Sequence, residues 1–363
     1  MDIRALARHL DLSIGTVSRA LNGKKDVNPA TRERVVAAAA VHGYTPNQSG
    51  RSLRRGRTGS VGFMLTLEHD SAAHGDPFFM ALFEGIQAGL AEADIDLIVL
   101  LAREGEDQLD FLRRNVSRGI ADGWLLSATQ RNDPRIPFLL DKDIPFATLG
   151  RSASGGDQPW IDLDFEGLVE NGLTRFLTGG HRRIGLVAPP ATVNNSYVVI
   201  AKYGETLRAA GLAVDEQLIR QGAGDEIAGE QAIAALMSLD DPPSAVLVMG
   251  ETAPVGVYAG LRQLGLVPGA DIAVIGARAN PSTSALQPRL TCFSLDLREL
   301  GIGLARALLP KLVRKEAGGE DDGAPPVVQT LWPLTLMPGD SEHPAGIASG
   351  KAMRAGGAVL SDR

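Results

Sequence analysis

Leu12-Ser13-Ile14-Gly15-Thr16-Val17-Ser18-Arg19-Ala20-Leu21-Asn22-Gly23 is the stretch on which the reading of this chain turns. Ser13 is a helix-capping residue, Val17 and Ala20 fall on one helical face, and Asn22-Gly23 suits a left-handed helix end. Upstream, Asp2 caps a helix reaching about Leu10, with Leu6, Ala7 and Leu10 as its apolar stripe. Asp11-Leu12 is the turn between the two, and aspartate tolerates the left-handed backbone better than most residues. Small Ala7 lets the helices approach closely, and Leu10, Leu12 and Val17 fill the shared core. Asn28-Pro29 then opens a third helix, a cap followed by proline at the first helical position. Val35, Val36, Ala39 and Ala40 are expected on its inward face. Two short helices around a tight turn are the geometry that lets the second enter a DNA major groove.

The charge agrees with that geometry. Residues 1–57 carry eleven Lys/Arg and four Asp/Glu, whereas the remainder carries 25 and 39. A basic head on an acidic body is a nucleic-acid footprint confined to one end, although a merely solvated basic face has the same composition. Residues 47–57, Asn-Gln-Ser-Gly-Arg-Ser-Leu-Arg-Arg-Gly-Arg, read as a basic linker too weak to be a helix alone and able to become one on DNA.

From Ser60 the pattern changes. Short β-branched runs alternate with helical segments: strands at 61–65, 97–101, 123–126 and 146–149, then a second cycle of strands at 184–187, 245–249 and 272–275. Helices are expected at 79–93, up to 116, at 203–210 and at 255–264. This is the signature of parallel, doubly wound sheets, in two lobes with a cleft between them, and ligands bind outside the carboxyl ends of such strands. The expected domains are a headpiece at 1–46, a hinge at 47–57, a two-lobed core at 58–338 and a disordered tail at 339–363.

Length and composition bound the rest. A chain of 363 residues implies two or three domains. With the single cysteine Cys292 there is no internal disulfide and no cysteine-rich metal site. No apolar run nears the ~20 residues of a membrane span, and Met1-Asp2-Ile3-Arg4 does not begin a signal peptide. A cytoplasmic protein without membrane association is expected. Phosphate-loop, dinucleotide and zinc-protease motifs are absent, so no catalytic residue, metal or cofactor is assigned. Cys292 and His181 read as structural.

The headpiece string, continued by Val27-Asn28-Pro29-Ala30-Thr31-Arg32-Glu33-Arg34-Val35 and Gly43-Tyr44-Thr45-Pro46-Asn47, resembles the lac repressor (LacI/GalR) family. The likeness is dense over residues 2–57. It continues weakly to about 338 through Pro77-Phe78-Phe79, Gly180-His181-Arg182-Arg183-Ile184 and Pro288-Arg289-Leu290-Thr291. The resemblance implies a helix-turn-helix headpiece on a two-lobed, doubly wound α/β core of the periplasmic-binding-protein type. It implies a homodimeric transcription regulator, a repressor in most such proteins, that binds near-palindromic double-stranded operator DNA under control of a small effector, a sugar or sugar derivative. It further implies that Ile14 and Gly15 occupy the base-choosing positions, where Ile14 offers only an apolar contact such as a thymine methyl. Arg19 becomes the direct base reader. Ser13, Thr16, Ser18, Asn22 and Thr31 become phosphate contacts, and Leu53, flanked by Asn47 and Arg51, the minor-groove wedge. Gly50 replaces a usual alanine.

In the core the likeness frays. Lys202-Tyr203 replaces a usual Gly-aromatic pair, with Val199 at the position of a sugar-binding arginine. Gly250-Glu251 replaces Asn-Asp, and Arg278 replaces an aspartate. The cleft candidates by position are Phe78, Phe79, Arg151, Trp160, Asp162, Asn195, Tyr197, Glu251 and Arg278. Aromatic faces beside polar forks suit a sugar ring. Phe78 and Phe79 equally suit packing at the cleft edge, and Glu251 and Arg278 either face a ligand or pair with each other. A solute-binding protein or an enzyme on the same two-lobed core is the alternative reading.

Overall fold

The computed structural model describes residues 1–21, 24, 26–44, 57–66, 77–103, 105–317 and 326–342. It separates into two compact units, Met1–Gly59 and Ser60–Arg363.

The first unit holds helices α1 (Ile3–Leu10), α2 (Ile14–Leu21) and α3 (Pro29–Val41). Asp2 caps α1 by accepting from the Ala5 amide at 2.7 Å. Asp11 ends it at φ 53°, ψ 46°, the left-handed turn expected there. The Ser13 hydroxyl accepts from the Thr16 amide at 3.0 Å, and the Asn28 side chain caps α3 through the Ala30 amide at 2.9 Å. Leu6, Ala7, Val17, Ala20, Val27, Val35 and Ala39 form the core, with Leu10 and Leu12 against it. The inner face of α3 is narrower than expected. Val35 and Ala39 are buried, whereas Val36 and Ala40 are exposed, because a stripe this narrow takes residues four apart and leaves their neighbours outside.

The second unit is built on two parallel sheets. Strands β1 (Ser60–Thr66), β2 (Asp96–Ala102), β3 (Gly123–Leu126), β4 (Phe146–Leu149), β5 (Trp160–Leu163) and β11 (Gln329–Trp332) form one lobe in the order β11-β5-β4-β3-β1-β2. Strands β6 (Ile184–Ala188), β7 (Ile219–Gln221), β8 (Ala245–Val248) and β9 (Ala273–Gly276) form the other, in the order β7-β6-β8-β9. Val61 pairs with Leu97 on one side and Gly123 on the other, and Ile184 pairs with Ala245. Strands β3, β8 and β9 are buried along their whole length, as sheets covered by helices on both faces require. An antiparallel pair, β10 (Cys292–Ser294) and β12 (Thr335–Met337), completes the second lobe.

The first lobe's helices are α4 (Pro77–Ala91), α5 (Gln108–Ser117), α6 (Arg135–Asp141) and α12 (Leu297–Ala317); the second lobe's are α7 (Phe165–Thr178), α8 (Asn194–Ala209), α9 (Glu226–Met237), α10 (Ala253–Gln263) and α11 (Pro281–Ser284). Helix α8 begins nine residues earlier than the expected 203, and this brings Asn195 onto its first turn. Helices α4 and α12 pack backbone to backbone. A Cβ at Gly85 would collide with the Arg298 carbonyl, and one at Gly301 with the Leu82 carbonyl. The chain passes between the lobes three times, at 163–165, 294–297 and 332–335.

The expected start of a disordered tail at 339 is corrected. Ser341 is fully buried. Its hydroxyl donates to the Val274 carbonyl at 2.6 Å and accepts from the Thr291 amide at 2.8 Å, while its carbonyl accepts from the Val274 amide at 2.8 Å. Composition misled there, because small and polar residues also serve a buried strap whose bonds are made to main chain. Residues 343–363 lie outside the described residues. Cys292 is buried, with its thiol pushed up by that burial. His181 is buried and shares a 2.9 Å hydrogen bond with the Ser244 hydroxyl.

Candidate nucleic-acid interface and ligand cleft

In the headpiece, α2 buries Val17 and Ala20 and leaves Ser13, Ile14, Gly15 and Arg19 exposed. Gly15 and Arg19 are one helical turn apart, and a Cβ at Gly15 would lie 3.7 Å from the Arg19 guanidinium. The absence of a side chain at 15 therefore leaves the Arg19 fork open to solvent. Its partner is Asp26 at 3.7 Å, with both side chains more than half exposed, a pairing that water and salt screen easily. The Ser13 and Thr16 hydroxyls share a 2.8 Å hydrogen bond at the helix start, where exposed amides and the helix dipole favour a phosphate. Thr31 is half-buried on α3. Ser18 is nine-tenths buried. Asn22, Asn47, Arg51 and Leu53, and with them the hinge, lie outside the described residues.

In the core the two lobes enclose a cavity of about 330 Å³. Its walls are the loops leaving the carboxyl ends of β3, β4, β5, β6, β8 and β9, as doubly wound topology requires. Of the nine cleft candidates, Phe78, Phe79, Arg151, Asp162, Asn195, Glu251 and Arg278 line it. Arg151 reaches two carboxylates: Nε donates to Asp162 at 2.8 Å and Nη2 to both Glu166 oxygens at 2.9 Å. Gly150 precedes it at φ 107°, a conformation open to glycine, with Thr129 Oγ1 only 2.8 Å from where a Cβ would be. Asp162 is buried, and burial raises its carboxyl above the ordinary value of 3.8 while Arg151 pulls it back down. Across the cleft, Arg278 Nε donates to Glu251 Oε1 at 2.8 Å and Nη2 to its other oxygen. The second of the two expected alternatives, mutual pairing, is thus the one observed. Arg278 also lies 4.9 Å over the Phe78 ring, an attraction between lobes. Among the described residues, Asn195 Oδ1 is buried with no hydrogen-bond partner.

Trp160 and Tyr197 do not line the cavity. Trp160 shares a face of β5 with Asp162 but sits two residues toward the amino end, behind the Arg151 guanidinium that covers its ring at 5.7 Å. Tyr197 is two residues from Asn195 on one helix, so it points away; its ring carries the Arg131 guanidinium at 4.5 Å. Val199 is fully buried in the second lobe's core. The lining residues missed from sequence are mostly apolar: Phe165, Pro189, Val193, Met249 and Leu334, with Thr129. The signal that finds them is position, since each but Leu334 lies within a few residues of a helix start or a strand's carboxyl end, and Leu334 lies in a crossover. Among the described residues, no helix is long and apolar enough to cross a membrane.

Residues 2–47 match the family of bacterial regulatory proteins, lacI family, and residues 173–341 match a periplasmic binding protein-like domain. The chain is 30% identical to the HTH-type transcriptional regulator RafR of Escherichia coli over 347 residues, covering 94% of this chain and 99% of RafR. It is also 30% identical to the HTH-type transcriptional regulator AglR of Rhizobium meliloti (strain 1021), over 95% of each chain. Among solved structures, a transcriptional regulator CelR–cellobiose complex superposes with TM-score 0.69 at 25% identity, over 94% of this chain and 99% of that one. The lac repressor dimer bound to operator and the anti-inducer ONPF gives 0.78 at 21% identity, again over 94% and 99%, and shows the shared fold. The chain belongs to the LacI family of helix-turn-helix transcription regulators.

Proposed function

We propose that this regulator is a cytoplasmic, non-enzymatic repressor that holds a near-palindromic operator as a homodimer and changes its grip when a sugar or sugar derivative occupies the cleft. The observation that carries this is the pairing, in one chain, of an exposed Gly15–Arg19 face on the second helix of the headpiece with a two-lobed cavity lined by aromatic rings and guanidinium–carboxylate pairs. The cellobiose complex of the CelR regulator supports the sugar reading, and the operator-bound dimer of the lac repressor supports the DNA and dimer reading.

Residues 1–46 form the DNA-reading domain, 47–57 the hinge and 58–338, together with the strap at 339–342, the effector and dimer domain. Arg19 reads a base edge and Ile14 contributes an apolar contact beside Gly15. Ser13, Thr16, Ser18, Asn22 and Thr31 hold phosphates. Leu53, with Asn47 and Arg51, opens the minor groove at the operator centre. In the cleft, Phe78 and Phe79 offer the sugar a flat apolar wall, and Asp162, Asn195, Glu251 and Arg278 bind its hydroxyls. The test is titration of the full-length protein with neutral mono- and disaccharides while it holds a labelled operator duplex. The expected result is a saturable shift in DNA affinity of roughly 5–150-fold, the range of ordinary allosteric coupling. A DNA affinity untouched by every sugar, together with a shift by another metabolite class, contradicts the sugar assignment.

A further inference from the structure

We infer that the cleft selects an uncharged, hydroxyl-bearing ligand and refuses phosphorylated or carboxylate ones, with Glu251 and Arg278 as the specificity-determining pair. This rests on the reading of the cleft as the effector site.

The charged residues among the described lining are Arg151, Asp162, Glu251 and Arg278. Neither guanidinium is waiting for an anion. Arg151 spends Nε and Nη2 on Asp162 and Glu166, and Arg278 spends Nε and Nη2 on Glu251. Among the described residues, and with Glu166 included, three carboxylates face two guanidinium groups. Arg278 has one face against Phe78 and is nearly fully buried, so it cannot turn to a new partner without breaking the contact between lobes. A phosphate or carboxylate entering here would set its charge beside carboxylates that already hold the cations, in a site where burial weakens screening.

The remaining hydrogen-bonding capacity has the opposite character. Asn195 Oδ1 is a buried acceptor without a partner among the described residues, and a ligand hydroxyl can donate to it. Leaving it bare costs the desolvation of the group. The Nη1 groups of Arg151 and Arg278 make no hydrogen bond to an acceptor among the described residues and can donate to a neutral oxygen. A hydroxyl both donates and accepts, so it meets both demands. The charged group of a phosphate monoester or carboxylate only accepts, so where that group meets Asn195 it leaves the Oδ1 unpaired.

The experiment is isothermal titration of the full-length wild type and of Glu251→Gln with cellobiose, glucose, glucose 6-phosphate, glucuronate and inorganic phosphate. Wild type should bind any neutral sugar it recognises at least about 100-fold more tightly than the matched anion, about two factors of ten in affinity. It should show no saturable binding of inorganic phosphate. Glu251→Gln leaves Arg278 without its counter-charge and should bind inorganic phosphate at least about tenfold more tightly than wild type does. The glutamate side chain is 42% exposed, so the fold should survive the change, and a thermal melt checks this. Wild type that binds glucose 6-phosphate or phosphate as tightly as the neutral sugar overturns the inference while leaving the effector-site reading intact. A Glu251→Gln variant with unchanged phosphate affinity also overturns it. If no neutral sugar binds but Glu251→Gln gains phosphate, the charge selection stands and the sugar reading fails.

Discussion

Arg19 presents a solvent-facing fork beside a glycine, and among the described residues its ion pair is a loose one to Asp26. Arg19→Ala should therefore cost about 1–3 kcal/mol of operator affinity and relax sequence preference at one base pair per half-site. Binding-site sequencing of the variant checks this, and an unchanged motif would rule out base reading by Arg19. Arg135 and Asp133 are a different kind of pair. Both are almost completely buried, Asp133 on the loop that carries Ser127 and Ala128 into the cavity wall and Arg135 at the start of α6. Arg135 Nε donates to Asp133 at 2.9 Å and Nη2 to the Ser127 carbonyl at 3.0 Å, and Ala128 is held at φ 48°. Arg135→Met leaves Asp133 charged and buried, so a loss of about 3–5 kcal/mol is expected, read by denaturant unfolding of the core. Asp162 predicts a pH effect. Its carboxyl is raised by burial, with Arg151 offsetting only part. The folded protein thus holds that proton more tightly than the unfolded chain, and the contribution to stability is full below pH 3.8 and declines as pH rises through the raised value. Asp162→Asn removes this decline, so the melting temperature of the variant relative to wild type should rise as pH increases from 3.8. A constant difference would show that Arg151 neutralises the carboxylate completely.

At the scale of elements, the strap at 339–342 makes the sharpest demand. Ser341 bonds main chain on both β9 and the segment before β10, and Glu342 pairs with Arg175 of α7. Truncation after Pro338 should lower the melting temperature of the core by several degrees, about what the loss of two or three buried hydrogen bonds of ~1 kcal/mol each brings, while truncation after Glu342 keeps every one of these contacts. Equal melting of the two truncations would contradict the strap. The same strap shows where sequence reading stops. Short, mainly apolar runs such as Gly123–Leu126 and Phe146–Leu149 announce strands buried on both faces, and the structure has them at those bounds. Strand β5, Trp160-Ile161-Asp162-Leu163, is hidden because an aspartate breaks the apolar run, and that aspartate is paired with Arg151, nine residues before the strand begins, a contact made in space that the sequence pattern does not show. Helix α12 is masked in sequence by Pro310 inside it. Cavity residues that carry charge could be named from the family's pattern, whereas the apolar wall of Phe165, Val193 and Met249 looks in sequence like any core.

At the scale of the whole molecule, the proposed function gives DNA contacts to the headpiece and ligand control of those contacts to the cleft. Phosphate contacts dominate such affinity, so binding should fall steeply between 50 and 200 mM salt, on the order of 10³-fold or more for a dimer making six or more phosphate contacts. Cleft occupancy acts on top of this, because a ligand that bridges Asn195 in one lobe and the Asp162–Arg151 pair in the other favours one lobe arrangement by the difference in its affinity for the two. The most direct test of the central claim is selection of binding sites by the full-length protein from a pool of random-sequence duplexes. The account predicts enrichment of a near-palindrome of two half-sites, as a symmetric pair of headpieces requires. A pool that stays random after selection, or one that converges on a single asymmetric site, would contradict it.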